Sequence, residues 1–373
     1  MQKMTSHPQK PKVLFIFSKG KNLEDMRGGY PLQFDSGFAC IRKTGLFEVD
    51  KLDIAFKREA AWLWRNLPLW VLWRPFERFL YIFTGVGFAL GQIAHNLRTI
   101  NHYDVVLGVN DTSGLPLSLL KRLGLVRPRV IFISAGLINN ILLPQARLIL
   151  TFFRWTLSGA DIVLSWSETE REMFESIGTY AEFLPLEAAI DFYVPSLGQT
   201  DEDFALSIGK DVGRDTRILI EATHATRQRT KLLTSKDLGS TSGTSEYVDS
   251  ITEYISFDEL RSLYDCASFV IIPLQEISRI TGQTTFLEAL AMGKPIIAAK
   301  TIALHRTYPL EHGRQVLWYE PGNVNSLIEQ IRALQQSPEL RARLGKEARL
   351  AAERMPRGAF CSKIASVLEQ ITQ

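Results

Sequence analysis

Gly282-Gln283-Thr284-Thr285-Phe286-Leu287-Glu288-Ala289-Leu290-Ala291-Met292-Gly293-Lys294-Pro295 is the stretch around which the rest of the chain can be read. A glycine-led polar turn opens a short helix with Phe286, Leu287, Leu290 and Ala291 on its apolar side. Gly293 and Pro295 end that helix before the buried strand Ile296-Ile297-Ala298-Ala299. The first turn of a helix carries unpaired backbone amides and the positive end of the macrodipole, so Thr281-Gly282-Gln283-Thr284 suits the close approach of a phosphate. Glu288, little more than a turn further on, is then placed to accept hydrogen bonds from vicinal hydroxyls, as on a ribose. The plain alternative is a capped helix with a solvated glutamate.

A longer span weighs on that choice. Ile255-Ser256-Phe257-Asp258-Glu259-Leu260, then Tyr264-Asp265-Cys266-Ala267-Ser268-Phe269-Val270-Ile271-Ile272-Pro273, then the glycine-led stretch, then Glu320-Pro321-Gly322-Asn323 follow one another between about Tyr254 and Gln335. Together they resemble the carboxyl-terminal half of GT-B glycosyltransferases of the large retaining class, the glycosyl transferases group 1 type. The resemblance implies an α/β chain of two Rossmann-like doubly wound parallel-sheet domains facing each other across a cleft. It implies a nucleotide-diphosphate sugar as substrate, no cofactor, no metal, and transfer with retention. In one respect the chain departs from the class, which usually has two glutamates separated by seven residues, the first near the donor sugar and the second at the ribose. Counting back from Glu288 puts Ile280 at the first position, and Glu276 is four residues too early.

Gly209-Lys210-Asp211-Val212-Gly213-Arg214-Asp215 is the second informative stretch. Relatives place an arginine just after a strand's terminal glycine and a lysine about six residues on, both reaching the donor diphosphate. Here the order is Lys210 then Arg214 with the spacing shortened. Two cations converging at such a turn suit pyrophosphate and stabilise the charge that departs during transfer. By resemblance, Lys210 and Arg214 are the catalytic candidates, and Gly209, Gly282, Gln283, Thr284, Thr285 and Glu288 the donor-binding ones. A solvated loop with local ion pairs to Asp211 and Asp215 is the alternative. Asp201-Glu202-Asp203 imitates a metal-binding acid pair, but it precedes a strand instead of ending one, and no metal is expected.

The chain of 373 residues, 46% hydrophobic and 22% charged, has a globular composition with room for two domains. The expected division is 1–190 for an acceptor-side domain, 191–355 for a nucleotide-sugar domain, and 356–373 for a last helix that crosses back to the first, the crossing being implied by the resemblance alone. Cys40, Cys266 and Cys361 are far apart and odd in number, which reads as a reducing compartment without a disulfide framework. The start is polar and runs straight into a strand, so no signal peptide is expected.

Lys12-Val13-Leu14-Phe15-Ile16-Phe17-Ser18 is an apolar run of buried-strand length. Gly28 and Gly29 lie in the loop after it, where the resemblance puts the acceptor side; they could equally be turn formers. Tyr103 to Val109 is another strand, leading to Asn110-Asp111-Thr112, with Asp111 a further acceptor-side candidate. Relatives often carry a sugar-contacting histidine at the end of the next strand, where this chain has Ser134 and Ala135.

Residues 1–100 hold fifteen Lys/Arg against eight Asp/Glu, a net of +7 within an overall +3. Trp62, Trp64, Trp70 and Trp73, with Arg65 among them and Arg74 and Arg78 directly after, precede the uncharged run Phe79 to Ala94. Indole and guanidinium settle at headgroup level, so 61–97 reads as an in-plane membrane patch; a core or dimer helix, or a true span, are the alternatives. The basic residues interleave with tryptophan and form no nucleic-acid motif, so no nucleic acid is expected. A lipid-linked or polysaccharide acceptor and a peripheral place on the inner face of the cytoplasmic membrane follow from this reading. A non-catalytic nucleotide-binding partner of another transferase, or a GT-B sugar epimerase, are the alternatives that Ile280 and Ser134 keep open.

Overall fold

The computed structural model describes residues 10–17, 36–54, 73–141, 147–196, 202–209, 211–234 and 246–373. They form two compact units: one up to Leu186 together with Gly358–Gln373, the other Glu187–Arg357.

The first unit is built on six strands, β1 (Lys12–Phe17), β2 (Glu48–Asp53), β3 (Val105–Gly108), β4 (Arg129–Ile133), β5 (Ile162–Ser165) and β6 (Ala181–Phe183). All pair in parallel, in the order β2-β1-β3-β4-β5-β6. Unbroken apolar runs make the central strands, because helices cover both faces of a parallel sheet. Alternate side chains go to opposite faces: Leu14, Ile16, Val106, Val130 and Phe132 enter one core, while Val13, Phe15, Val105, Leu107 and Ile131 enter the other. Phe360, Ile364, Val367 and Leu368 of the terminal helix Ala359–Thr372 complete the second core.

Two expectations are corrected here. Cys40 and Cys361 form a disulfide across 321 positions, with their Cα atoms 6.1 Å apart, so the reading of three isolated thiols fails. The bond fastens the terminal helix to the helix Phe38–Thr44, whose preceding Gly37 lies so close that a Cβ there would meet Ile364 Cδ1 at 2.5 Å.

The second correction concerns the tryptophan-rich stretch. Residues 61–72 lie outside the described residues, and the rest is not one interfacial segment. Residues 73–84 are helical with an exposed side, whereas Val86, Phe88, Leu90 and Ile93 are core residues around the helix Leu90–His95. Gly91 makes that packing possible, since a Cβ there would stand 3.0 Å from Trp73 Cβ, and its amide donates to Glu77 Oε1 at 2.9 Å. The lack of charge from Phe79 to Ala94 therefore has two causes, an exposed apolar helix side and a buried one. Among the described residues no helix is long and apolar enough to cross a membrane.

The second unit repeats the plan with β7 (Glu202–Ile208), β8 (Thr230–Leu233), β9 (Val248–Ile251), β10 (Ala267–Ile272), β11 (Ile296–Ala299) and β12 (Leu317–Tyr319). The parallel order is β12-β11-β10-β7-β8-β9. The winding reverses between β7 and β10. In open α/β sheets the crevice outside the carboxyl ends of two such strands is where ligands bind.

Candidate functional site

Ile208 ends β7 and Ile272 ends β10, so the segments 209–215 and 273–282 leave the sheet side by side at the reversal. They are joined by an antiparallel bridge between Arg214 and Leu274, with Asp215 N donating to Pro273 O at 3.0 Å and Gln275 N to Gly213 O at 2.8 Å. Gly213 has φ 101°, and a Cβ there would lie 2.7 Å from Ile277 Cδ1, so only glycine allows the two segments this separation.

Arg214 is the centre of the arrangement. Its side chain is 10% exposed and lies across Gly209, where a Cβ would stand 2.0 Å from Arg214 Nε. Nε donates to Asp211 Oδ1 at 2.9 Å and Nη2 to Thr285 Oγ1 at 3.2 Å, while Thr285 Oγ1 donates to Ile208 O at 3.3 Å. Nη1 is buried and has no hydrogen-bond partner among the described residues. A buried guanidinium nitrogen without a partner costs free energy, and an anion is the group best able to supply one. Asp215 is not part of the ion pair; its carboxylate accepts from Ile218 N at 3.2 Å and caps the helix Thr216–Thr226.

The helix Gln283–Ala291 begins at the same place. Its N-cap is Gly282 at φ 71° with no side-chain cap, unlike the helices capped by Asn110, Ser167, Asp215, Ser256, Thr301, Asn323 and Ser337. An uncapped first turn presents its amides and the positive end of the dipole. Gln283, Thr285 and Glu288 are buried and Thr284 is half-buried. The Gln283 side chain turns away to donate from Nε2 to Tyr308 Oη at 2.6 Å.

Glu288 is enclosed. It is 5% exposed, and its two oxygens accept from Tyr193 Oη at 2.8 Å and Tyr264 Oη at 2.7 Å. Burial pushes its pKa up to about 7, against the pull of the two hydroxyls and of the Arg214 charge. Desolvation and the facing carboxylate likewise raise both tyrosines. A carboxylate has about four lone-pair sites, so two remain after the tyrosines are counted. The solvated glutamate of the alternative reading is not what the fold contains.

Gly209, Arg214, Gly282, Gln283, Thr284, Thr285 and Glu288 are thus gathered at one strand reversal. Lys210, Gly28 and Gly29 lie outside the described residues. Asp111, in the first unit, is engaged at the carboxyl ends of β3 and β4, where its Oδ1 accepts from Ser134 Oγ at 3.3 Å and Ala135 N at 3.1 Å. Ile280 is half-buried, and Glu276 reaches away to accept from Ile302 N at 3.0 Å. Three residues went unnoticed in the sequence. Tyr264 stood within a quoted motif without a role, Tyr193 lies just past the expected domain division at 190, and Arg279, whose Nη2 donates to Val212 O at 3.5 Å, follows no spacing rule.

Residues 217–337 match the family profile described as Glycosyl transferases group 1. Sequence comparison with curated proteins yields no match. Among solved structures, sucrose-phosphate synthase from Thermosynechococcus elongatus superposes with a TM-score of 0.69 at 13% identity, covering 97% of this chain and 99% of that one. HepE of Anabaena in complex with UDP and glucose gives 0.69 at 16% identity, covering 96% and 100%. The lipopolysaccharide outer core galactosyltransferase WaaB gives 0.61 at 12% identity, covering 96% and 99%. The GT-B fold of these structures is the fold of this chain, and within it residues 217–337 are similar to the glycosyl transferases of group 1.

Proposed function

We propose that the enzyme takes a nucleoside-diphosphate sugar, of the UDP-sugar kind that HepE binds, and moves the sugar with retention and without a metal to a lipid-linked or polysaccharide acceptor. The observation that carries this reading is the buried, unpartnered Nη1 of Arg214 beside an uncapped helix start at the β7/β10 reversal. In this reading the donor diphosphate lies between Arg214, Lys210 and the amides of Gln283 to Thr285. The hydroxyl of Thr284, or that of Thr285 once it lets go of Ile208 O, donates to a phosphate oxygen, and the free lone pairs of Glu288 accept from the ribose hydroxyls.

In the reaction the bond from the sugar's anomeric carbon to the diphosphate oxygen breaks, and the electron pair leaves with the diphosphate. The acceptor oxygen bonds to that carbon on the same face, and its proton passes to the departing phosphate oxygen. Arg214 and Lys210 stabilise the charge on the leaving group. No side-chain base is required on this route.

A thermal-shift screen of nucleoside diphosphates and their sugars tests the donor, since a ligand at 100 times its Kd adds roughly 2.7 kcal/mol. Radiolabelled donor incubated with membrane extract tests the transfer. Stabilisation by a UDP-sugar followed by label in lipid or polymer is expected; no stabilisation by any nucleotide would end the reading. Ile280 and Ser134, standing where relatives touch the sugar, favour a second reading as a nucleotide-binding partner. Binding without transfer would select it.

A further inference from the structure

We infer that the exposed sides of helix 73–84 and helix Arg147–Leu157 form one aromatic and arginine surface that lies on an anionic lipid bilayer. Along the first helix Phe76, Phe79 and Ile82 recur every three residues and stand 43%, 58% and 73% exposed. On the second, Leu148 is 72% and Trp155 40% exposed, seven residues apart on one side, with Phe152 between them. The two rows are joined by rings. Phe79 stacks on Phe83 at 6.0 Å between centroids, and Phe83 meets Phe152 edge-on at 6.0 Å.

Each helix has a buried side as well, Leu80 and Thr84 on one, Phe153, Thr156 and Leu157 on the other. The exposed apolar rows are therefore not an accident of poor folding. An exposed contiguous apolar surface of this kind marks an interaction site.

Charge selects the occupant. Arg74, Arg78 and Arg147 are exposed beside the rows. Glu77 is the one acidic residue on either helix, and it is half-buried with Oε1 accepting from Gly91 N. Aromatic and aliphatic rows edged by arginine, with no exposed carboxylate, match the acyl boundary and the negative headgroups of a bilayer. Among the described residues neither helix is long and apolar enough to cross, and in this inference both lie in the plane. The inference rests on the proposed reading only in giving a lipid-borne acceptor its place.

Flotation of the full chain with phosphatidylcholine vesicles, with and without phosphatidylglycerol, tests it without donor or acceptor. Wild type is expected to float with the phosphatidylglycerol vesicles. Each of Arg74→Ala, Arg78→Ala and Arg147→Ala should weaken that binding about fivefold. The triple change Phe79→Ser, Ile82→Ser, Leu148→Ser should lose it by more than tenfold on the same vesicles. A thermal shift with UDP, read on every variant, should equal that of wild type. Wild type that stays in the soluble fraction, or a triple variant that floats as wild type does, would overturn the inference. So would a wild-type dimer that the triple variant turns into a monomer, since the surface would then belong to a second copy. Flotation without any UDP shift would strike the donor reading and leave this one standing.

Discussion

Arg214 occupies the space that a side chain on Gly209 would fill, with Arg214 Nε 2.0 Å from where that Cβ would be. A methyl group at Gly209 must push the guanidinium off Thr285, because the backbone of β7 is fixed by its neighbours on both sides. Gly209→Ala is therefore expected to weaken UDP binding about tenfold to a hundredfold, the range for losing charge-assisted hydrogen bonds. Arg214→Ala should do the same, and the double variant no worse than Arg214→Ala alone. Calorimetric titration with UDP reads all three. Additive losses would mean that Gly209 acts on something other than Arg214.

Gly282 answers two demands at once. It holds φ 71°, and a Cβ there would meet Ile272 Cγ2 at 2.9 Å and both Leu274 methyls at 3.1 Å. Gly313 shares the backbone demand, with φ 76°, but has open space around it. Alanine at Gly313 should cost only the left-handed penalty, about 1–2 kcal/mol, whereas at Gly282 crowding adds about 1–3 kcal/mol more. Urea unfolding of the two variants separates the terms. Equal losses would remove the crowding argument.

What could be read without coordinates was whatever is local. Val13 to Phe17, Val105 to Leu107 and Phe269 to Ile272 are apolar at every position, so buried parallel strands were legible there. Gly282 and Gly293 marked the helix between them, and a charge-bearing turn at 209–215 was legible because cations cluster after a strand. The enclosure of Glu288 was not legible, since it is made by Tyr193 and Tyr264, which lie 95 and 24 positions away. The pairing of Cys40 with Cys361 was hidden for the same reason, across 321 positions. The run Phe79 to Ala94 shows a different limit. Loss of charge looks alike whether the side chains go into a core, as at Leu90 and Ile93, or stay outside, as at Phe79 and Ile82.

Glu288 gives the second unit a pH dependence of its own. In the fold its pKa stands at about 7, while an unfolded glutamate titrates near about 4.3. Between those values the folded chain holds a proton that the unfolded chain has lost, so stability falls as pH rises. The contribution is greatest below the unfolded value and is gone above the folded one. Across the full window the change is about 4 kcal/mol. Glu288→Gln keeps the shape and cannot ionise, so its urea midpoint should be flatter than wild type between about pH 5 and pH 7.5. Parallel curves for the two proteins would place the titration elsewhere.

The disulfide makes a separate claim about the first unit. Phe360, Ile364, Val367 and Leu368 hold the terminal helix in the core by burial, and Cys361 ties the same helix covalently to Cys40. Closing so long a loop restricts the unfolded chain, and removing a bond of this kind typically costs about 2–4 kcal/mol. Cys40→Ser, or reductant added to wild type, should lower the stability of the first unit by that amount and raise amide exchange through Ala359–Thr372. Cys266→Ser should do neither, since Cys266 is outside the disulfide and in the other unit. Peptide mapping of unreduced protein decides whether the bond is present. If Cys40 and Cys361 are both alkylated without reductant, burial alone holds the helix, and the exchange rates of Cys40→Ser should then match those of wild type.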